Sequence, residues 1–179
     1  MNPFRIVSGG QTGVDRAALE FALAHGIRHG GWCPRGRRAE DGIIPRRYRL
    51  RETGSASYDV RTRWNVRDSD ATVIFCAKAR LSGGTKAAAE FAIKLGRPLL
   101  VLTGSKAPER AARQVKAFME KHGVRTLNIA GPRASEQPEV GAFVHDVLRR
   151  CAAFLAGAKG NNPFLSSLDT LVQFATVTL

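Results

Sequence analysis

One stretch near the N-terminus, residues 4–23, constrains the fold more than any other part of the chain. It opens with a short apolar run, continues through a glycine-rich polar loop at residues 8–13, and ends in apolar residues at helical spacing from Val14 to Leu23. Glycines let a backbone approach a ligand closely, and the free N–H groups of a first helical turn attract anions. The stretch therefore predicts a strand, an anion-binding loop and a helix.

A second glycine loop has the same setting. Residues 81–85 read Leu-Ser-Gly-Gly-Thr, and they follow the apolar run of residues 71–76 and precede a helical pattern. Neither loop has the spacing of a P-loop or of the dinucleotide fingerprint. Each loop is consequently either an anion site or a tight turn, and the arginine-rich segment between them favours the anion site.

Apolar runs and helical patterns alternate along the rest of the chain, which predicts a parallel sheet covered on both faces. The fold class is α/β, a doubly wound, mainly parallel sheet with helices on both faces. In such sheets ligands bind outside the carboxyl ends of the strands. We therefore expect both glycine loops and residues 131–135 to lie at one edge. The predicted strands are 4–7, 71–76, 99–102 and 125–129, and the predicted helices are 14–25, 60–68, 86–95, 107–122 and 138–155.

Residues 27–45 are rich in glycine, proline and arginine. A short strand is predicted at 31–33, and the remainder is predicted to be a long ordered loop, which in a compact domain usually has a function. The formal net charge of +13 implies anionic partners. The alternative, that arginine is simply abundant in the encoding genome, stays open at this point.

The chain divides into a domain at 1–156 and a C-terminal arm at 157–179. The arm begins with a glycine- and asparagine-rich break and continues as an amphipathic pattern, which packs either on its own domain or on a neighbouring subunit. No apolar run reaches the roughly 18 residues of a membrane span, and we expect no signal peptide. Three scattered cysteines favour reduced thiols in the cytoplasm over disulfides or a zinc site.

No set of residues forms a catalytic pattern. The four histidines are dispersed, without the pairing of a metal site, and no Gly-x-Ser-x-Gly elbow occurs. Two acids have open roles: Asp15 either caps a helix or contacts a ligand, and Glu90 either faces the second loop or lies on a solvated helix face. We therefore predict no catalytic residue and no metal ligand. Whether the protein is an enzyme stays undecided, and the sequence favours a protein that is not one.

Several segments, in one continuous order over residues 4–155, resemble the putative molybdenum carrier family. They are 8–18, 30–34, 36–42, 61–62, 64–70, 81–85 and 128–133. The family is assigned to the circularly permuted branch of the SLOG group of Rossmann-like domains, and its relatives bind molybdenum cofactor, a pterin with a phosphate. The resemblance implies a phosphate-binding crevice, a carrier without turnover and a homo-oligomer, either a dimer or a tetramer. The tail beyond Gly157 matches nothing in the family.

Carried over to this chain, the resemblance implies a binding site for molybdenum cofactor or another phosphate-bearing ligand such as a nucleotide. The predicted residues are Ser8, Gly9, Gly10, Gln11, Thr12, Gly13, Arg16, Arg35, Arg37, Ser82, Gly83, Gly84, Thr85 and Arg133.

Two other functions remain. Related SLOG proteins similar to the LONELY GUY family hydrolyse the N-glycosidic bond of nucleoside monophosphates, but the loop at 82–85 is shorter than their motif and Glu90 has a different offset. A nucleic-acid-binding module suits the charge, but the sequence lacks a nucleic-acid-binding motif and aromatic residues do not interleave the arginines.

Overall fold

The computed structural model describes residues 4–78, 80–104 and 107–157. Its helices are α1 (Val14–Ala24), α2 (Tyr58–Arg67), α3 (Gly83–Lys94), α4 (Pro108–Lys121) and α5 (Val140–Gly157). The strands of the central sheet are β1 (Arg5–Val7), β2 (Arg28–Gly30), β7 (Ala71–Cys76), β8 (Leu99–Thr103) and β9 (Thr126–Ala130). Four short strands lie between β2 and α2: β3 (Trp32–Cys33), β4 (Arg38–Ala39), β5 (Gly42–Ile43) and β6 (Arg51–Glu52).

The central sheet has the order β2-β1-β9-β7-β8, and all of its pairings are parallel. Val7 at the end of β1 is in register with Gly30 on one side and Asn128 on the other. Parallel strands need crossover connections, and the helices provide them. The predicted Rossmann-like α/β fold is therefore confirmed.

Alternating residues of β7 divide the core into two layers. Val73 and Phe75 pack with residues of α1, α4 and α5, whereas Ile74 and Cys76 pack with Ala88 and its neighbours on α3. Because successive side chains of a strand point to opposite faces, α1 and α3 cover opposite faces of the sheet. All six β7 residues are buried, as expected for a strand covered on both sides.

Three details differ from the sequence prediction. The strand β2 was not predicted, because its sequence Arg-His-Gly lacks the apolar character of a buried strand; it is an edge strand that pairs only through β1. Helix α3 begins at Gly83 and not at residue 86, so the second glycine loop forms the first helical turn. The predicted loop from Cys33 to Pro45 contains a small antiparallel hairpin, β4–β5, and the unpredicted strand β6 further along the chain pairs with β3.

Among the described helices, none combines the length and the apolar character that crossing a membrane requires. The C-terminal arm predicted after Gly157 lies outside the described residues.

Candidate functional site

The carboxyl ends of three neighbouring strands bring the predicted binding loops to one edge. β1, β9 and β7 are adjacent and parallel, so the loops that follow them emerge on the same side. The Thr12 hydroxyl accepts a hydrogen bond from the Ala134 N–H at 3.1 Å, and the Gln137 side-chain carbonyl accepts one from the Ala77 N–H at 2.7 Å. One strand separates β1 from β7, which places their ends about 10 Å apart. Since α1 and α3 leave on opposite faces, this edge is a topological switch point.

The N-terminus of α3 is the open part of this edge. Ser82 precedes the helix without a side-chain capping bond, and Gly83 and Gly84 are exposed. Among the described residues, a Cβ atom added to either glycine would meet no atom within 4 Å. The N–H groups of the first turn and the helix dipole favour an anion here. Lys86 adds a positive charge, and it pairs with Glu90 one turn later at 3.5 Å.

The loop at residues 8–13 is mostly closed by the protein itself. The Gln11 N–H donates to Asp15 at 3.2 Å, the Thr12 N–H donates to the Gln11 side chain at 3.0 Å, and the Val14 N–H donates to the Pro132 carbonyl at 3.3 Å. These amides are therefore not free for a ligand. The structure places the loop beside the site, where its backbone supports α1 and the β9–α5 connection.

Gly10 illustrates how tightly this loop is packed. Its φ angle is +80°, a region that residues with side chains rarely adopt, and a Cβ atom there would lie 2.6 Å from the Leu50 side chain. Glycine is required at this position by the packing of the loop on residues 44 and 50. A larger residue would disturb the fold before it reached any ligand.

A buried ion pair supports the loop from below. Asp15 on α1 and Arg61 on α2 lie 3.1 Å apart, and their side chains are only 4% and 13% exposed. The pKa of Asp15 is raised, because the effect of burial exceeds the lowering by Arg61 and by the Gln11 N–H. The Arg61 guanidinium lies directly against Gly9, where any Cβ atom would overlap it. Among the described residues, the buried Arg61 Nε has no hydrogen-bond partner.

Two acids at the turn of the β4–β5 hairpin bind it to the 8–13 loop and to neighbouring residues. The Glu40 carboxylate accepts hydrogen bonds from the Thr12 hydroxyl and from the Ser135 N–H, the latter at 3.2 Å. Asp41 pairs with Arg16 at 2.9 Å. The hydrogen bond from Arg16 holds the pKa of Asp41 below its usual value; for Glu40, burial raises the pKa, but bonds from Ser135 and Thr12 outweigh it and lower the pKa.

The four predicted arginines have different surroundings. Arg37 is buried and donates to the backbone carbonyls of residues 44, 45, 48 and 50, so its guanidinium is committed to holding the loop. Arg16 is shared between Asp41 and the Gly10 carbonyl. Arg133 pairs with Glu136 at 3.2 Å. Arg35 is exposed, and it is joined to the fold through its backbone N–H to Ser55.

Arg61 and Glu40 were not among the predicted site residues. Each makes its decisive contact over a long sequence separation: 46 residues from Asp15 for Arg61, and 95 from Ser135 for Glu40. The only sequence signal for either was its place in the segments that resemble the family. In the described part of the chain, no three His, Cys, Asp or Glu residues are grouped as metal ligands, and the three cysteines are free and buried.

Comparisons with known proteins agree with this architecture. The model of the circularly permutated YpsA SLOG family matches residues 6–152. A crystal structure from Syntrophus aciditrophicus SB, named "putative molybdenum carrier protein", is 42% identical in sequence, with a TM-score of 0.80. The similarity covers 83% of this chain and 94% of that protein. No curated protein sequence matches.

Proposed function

This chain belongs to the circularly permutated YpsA SLOG family, and we propose that it is a carrier for a phosphorylated heterocyclic ligand, with molybdenum cofactor as the leading candidate. The similar protein from Syntrophus aciditrophicus SB carries the molybdenum carrier name, which supports a carrier role. The ligand lies at the switch-point edge of the sheet. We further propose that the protein works in the cytoplasm as a homo-oligomer.

The observation that carries this proposal is the open N-terminus of α3. The first turn at Gly83 and Gly84 has free space beside it and no cap from the Ser82 side chain. A phosphate group fits such a position because several N–H groups point towards it and the helix dipole adds a partial positive charge. Of the two predicted glycine loops, residues 82–85 would therefore hold the phosphate. The more closed loop at 8–13 would form the neighbouring wall.

Arg61 is a second reason to propose a phosphate-bearing ring at this edge. The buried Nε of Arg61 lacks a partner among the described residues, and an unpaired buried donor is costly unless a ligand or water meets it. Arg61 adjoins Gly9, so a ligand reaching from α3 towards the 8–13 loop would pass near it. Molybdenum cofactor would supply the metal and its pterin. The protein would bind and shield them, and no catalytic step is assigned to its residues.

The test compares two glycine-to-aspartate variants. In Gly84→Asp the new carboxylate enters open space at the α3 N-terminus and repels an anion there; the backbone is unstrained, and an acid in the first turn of a helix is slightly stabilising. Gly54→Asp makes the same chemical change at an exposed position that is equally free of contacts. We expect Gly84→Asp to lose the bound ligand but to melt no lower than the ligand-free parent, because a ligand that binds the folded state raises the melting temperature by itself. Gly54→Asp should keep both the bound ligand and the melting temperature of the parent.

The measurement is native mass spectrometry of freshly purified protein, with identification of the released ligand and a count of molybdenum atoms. A pterin phosphate with molybdenum on the parent protein and on Gly54→Asp, absent from Gly84→Asp, is the expected result. An equal load on both variants would contradict the assigned position. A released nucleotide would instead favour the glycosidic hydrolase, and release of free base from nucleoside monophosphates would then be assayed.

A further inference from the structure

A groove of about 750 Å³ lies at the edge of the sheet opposite the candidate site. Arg5 and Arg28, the first residues of β1 and β2, stand at its base. Arg49 and Arg51 complete the positively charged wall, and His29 lies beside them. The glycine loops follow the carboxyl ends of the strands, so this arginine groove, defined by these residues, belongs to a different part of the molecule.

Among the described residues, no carboxylate lies within 4 Å of the guanidinium groups of Arg5, Arg28, Arg49 or Arg51. Asp68 acts electrostatically on Arg5 without forming an ion pair with it, and it is already bound by Arg67 and by the Trp32 indole. Burial, together with Arg51 and Arg28, lowers the pKa of Arg5, as expected where like charges are crowded.

Gathering like charges in this way is unfavourable unless an anion neutralises them. Several described arginines outside the groove have such partners: Arg16 pairs with Asp41, Arg61 with Asp15 and Arg150 with Glu109. The groove differs in that four arginines without such a partner line one recess. Its other wall is apolar and consists of Ala22, Leu23 and Ile27 near the end of α1.

We propose that the arginine groove is a second anion site, which binds a small molecule carrying a chain of two or more phosphate groups. Guanidinium groups bind phosphate through paired, charge-assisted hydrogen bonds. Four of them around one recess match several linked phosphates better than a single one. The volume lies within the range of about 300–1,000 Å³ that is common for small-ligand sites.

The lining favours a small polyphosphate over a nucleic acid strand. Single-stranded nucleic acids are held by aromatic side chains on which the bases stack, and among the described residues no Phe, Tyr or Trp side chain lines this groove. The apolar wall accommodates an organic group attached to the phosphates. Inorganic polyphosphate and a nucleoside polyphosphate share the recognised chemistry, and they are distinguished by comparing tripolyphosphate with ATP.

The experiment is calorimetric titration of the full chain with inorganic tripolyphosphate, repeated in the Gly84→Asp background so that the α3 site does not contribute. The test variant is Arg28→Gln/Arg51→Gln. The matched control, Arg110→Gln/Arg113→Gln, removes the same charge from exposed positions on α4. We expect the dissociation constant to rise roughly tenfold or more in the test variant, from the loss of charge-assisted bonds, and about twofold or less in the control.

A second readout locates the ligand. His29 is the histidine of the groove, and its imidazole NMR signals should shift on addition of tripolyphosphate. Tighter binding of ATP than of tripolyphosphate would identify a nucleotide as the source, and equal binding would identify the phosphate chain.

Three results would overturn the proposal. The first is no binding by the parent protein at low salt, and the second is equal weakening in the test and control variants, which would reflect net charge alone. The third is loss of binding to a single-stranded DNA 12-mer in the test variant with tripolyphosphate affinity unchanged, which would assign the groove to nucleic acid. If tripolyphosphate still binds the groove in Gly84→Asp, the groove is tested independently of the carrier function, which depends on the α3 site.

Discussion

The buried pair of Asp15 and Arg61 allows the sharpest test of how the site is held together. At an effective dielectric constant of about 20, two unit charges 3.1 Å apart attract by roughly 5 kcal/mol, and desolvation offsets part of this. The Asp15→Ala substitution leaves the Arg61 guanidinium buried and unpaired, and arginine cannot lose its proton. We expect the free energy of unfolding to fall by about 3–5 kcal/mol.

Removing the arginine instead of the aspartate should lower the free energy of unfolding by less. In Arg61→Met the remaining carboxyl can take up a proton, and burial already raises its pKa. With the folded-state pKa above the unfolded value, the folded state binds more protons. The stability of Arg61→Met is therefore highest at acidic pH and declines as the pH rises through the window between the two values. The double variant should cost less than the sum of the two, with a coupling of about 1–3 kcal/mol.

The assay is urea unfolding at pH 7, followed by tryptophan fluorescence; Trp32 and Trp64 stack edge to face close to this region. The pair Lys86 and Glu90 serves as the control, because its side chains are 46% and 51% exposed. Glu90→Ala should change stability by about 0.5 kcal/mol or less. A coupling below about 0.5 kcal/mol, or an Asp15→Ala cost no larger than that of Glu90→Ala, would refute the reasoning.

Two further predictions follow from packing. Gly10→Val should lower the free energy of unfolding by roughly 2–5 kcal/mol, because valine is strained at φ +80° and overlaps Leu50; an unchanged urea midpoint would show that the loop yields. The thiols of Cys33, Cys76 and Cys151 are buried, and burial raises the pKa of Cys151 to about 11. A thiol reagent at pH 8 should therefore label the native protein slowly. In denaturant, it should label all three cysteines. Rapid labelling of Cys151 in native protein would contradict its placement in the core.

The local pattern of the sequence was enough for most of the fold. The run Ala71–Cys76 is apolar or β-branched throughout, which matches a strand buried on both faces, and Pro98 and Gly123 border elements as predicted. Such signals depend on neighbours within a few residues and on the period of burial, and both can be read from the order of amino acids. The strand β2 was not predicted because an edge strand can be short and polar.

The site depended far more on tertiary contacts. Glycine composition made residues 8–13 and 82–85 look equivalent, yet the fold packs Gly10 against Leu50 and leaves Gly84 open. The family resemblance placed Arg37 among the ligand-binding residues, whereas in the structure the surrounding backbone carbonyls take up its donors. Whether an arginine or a glycine is available to a ligand depends on what the fold brings within a few ångströms of it.

The sequence by itself determined the α/β class, the parallel alternation and the edge at which the loops meet. Only the tertiary structure decided that Asp15 would pair with Arg61, and that Arg5, Arg28 and Arg51 would share a groove on the opposite side. The physical reason is range: periodicity and turn chemistry act over short stretches of chain, whereas charge pairing and desolvation act between groups that become neighbours only on folding.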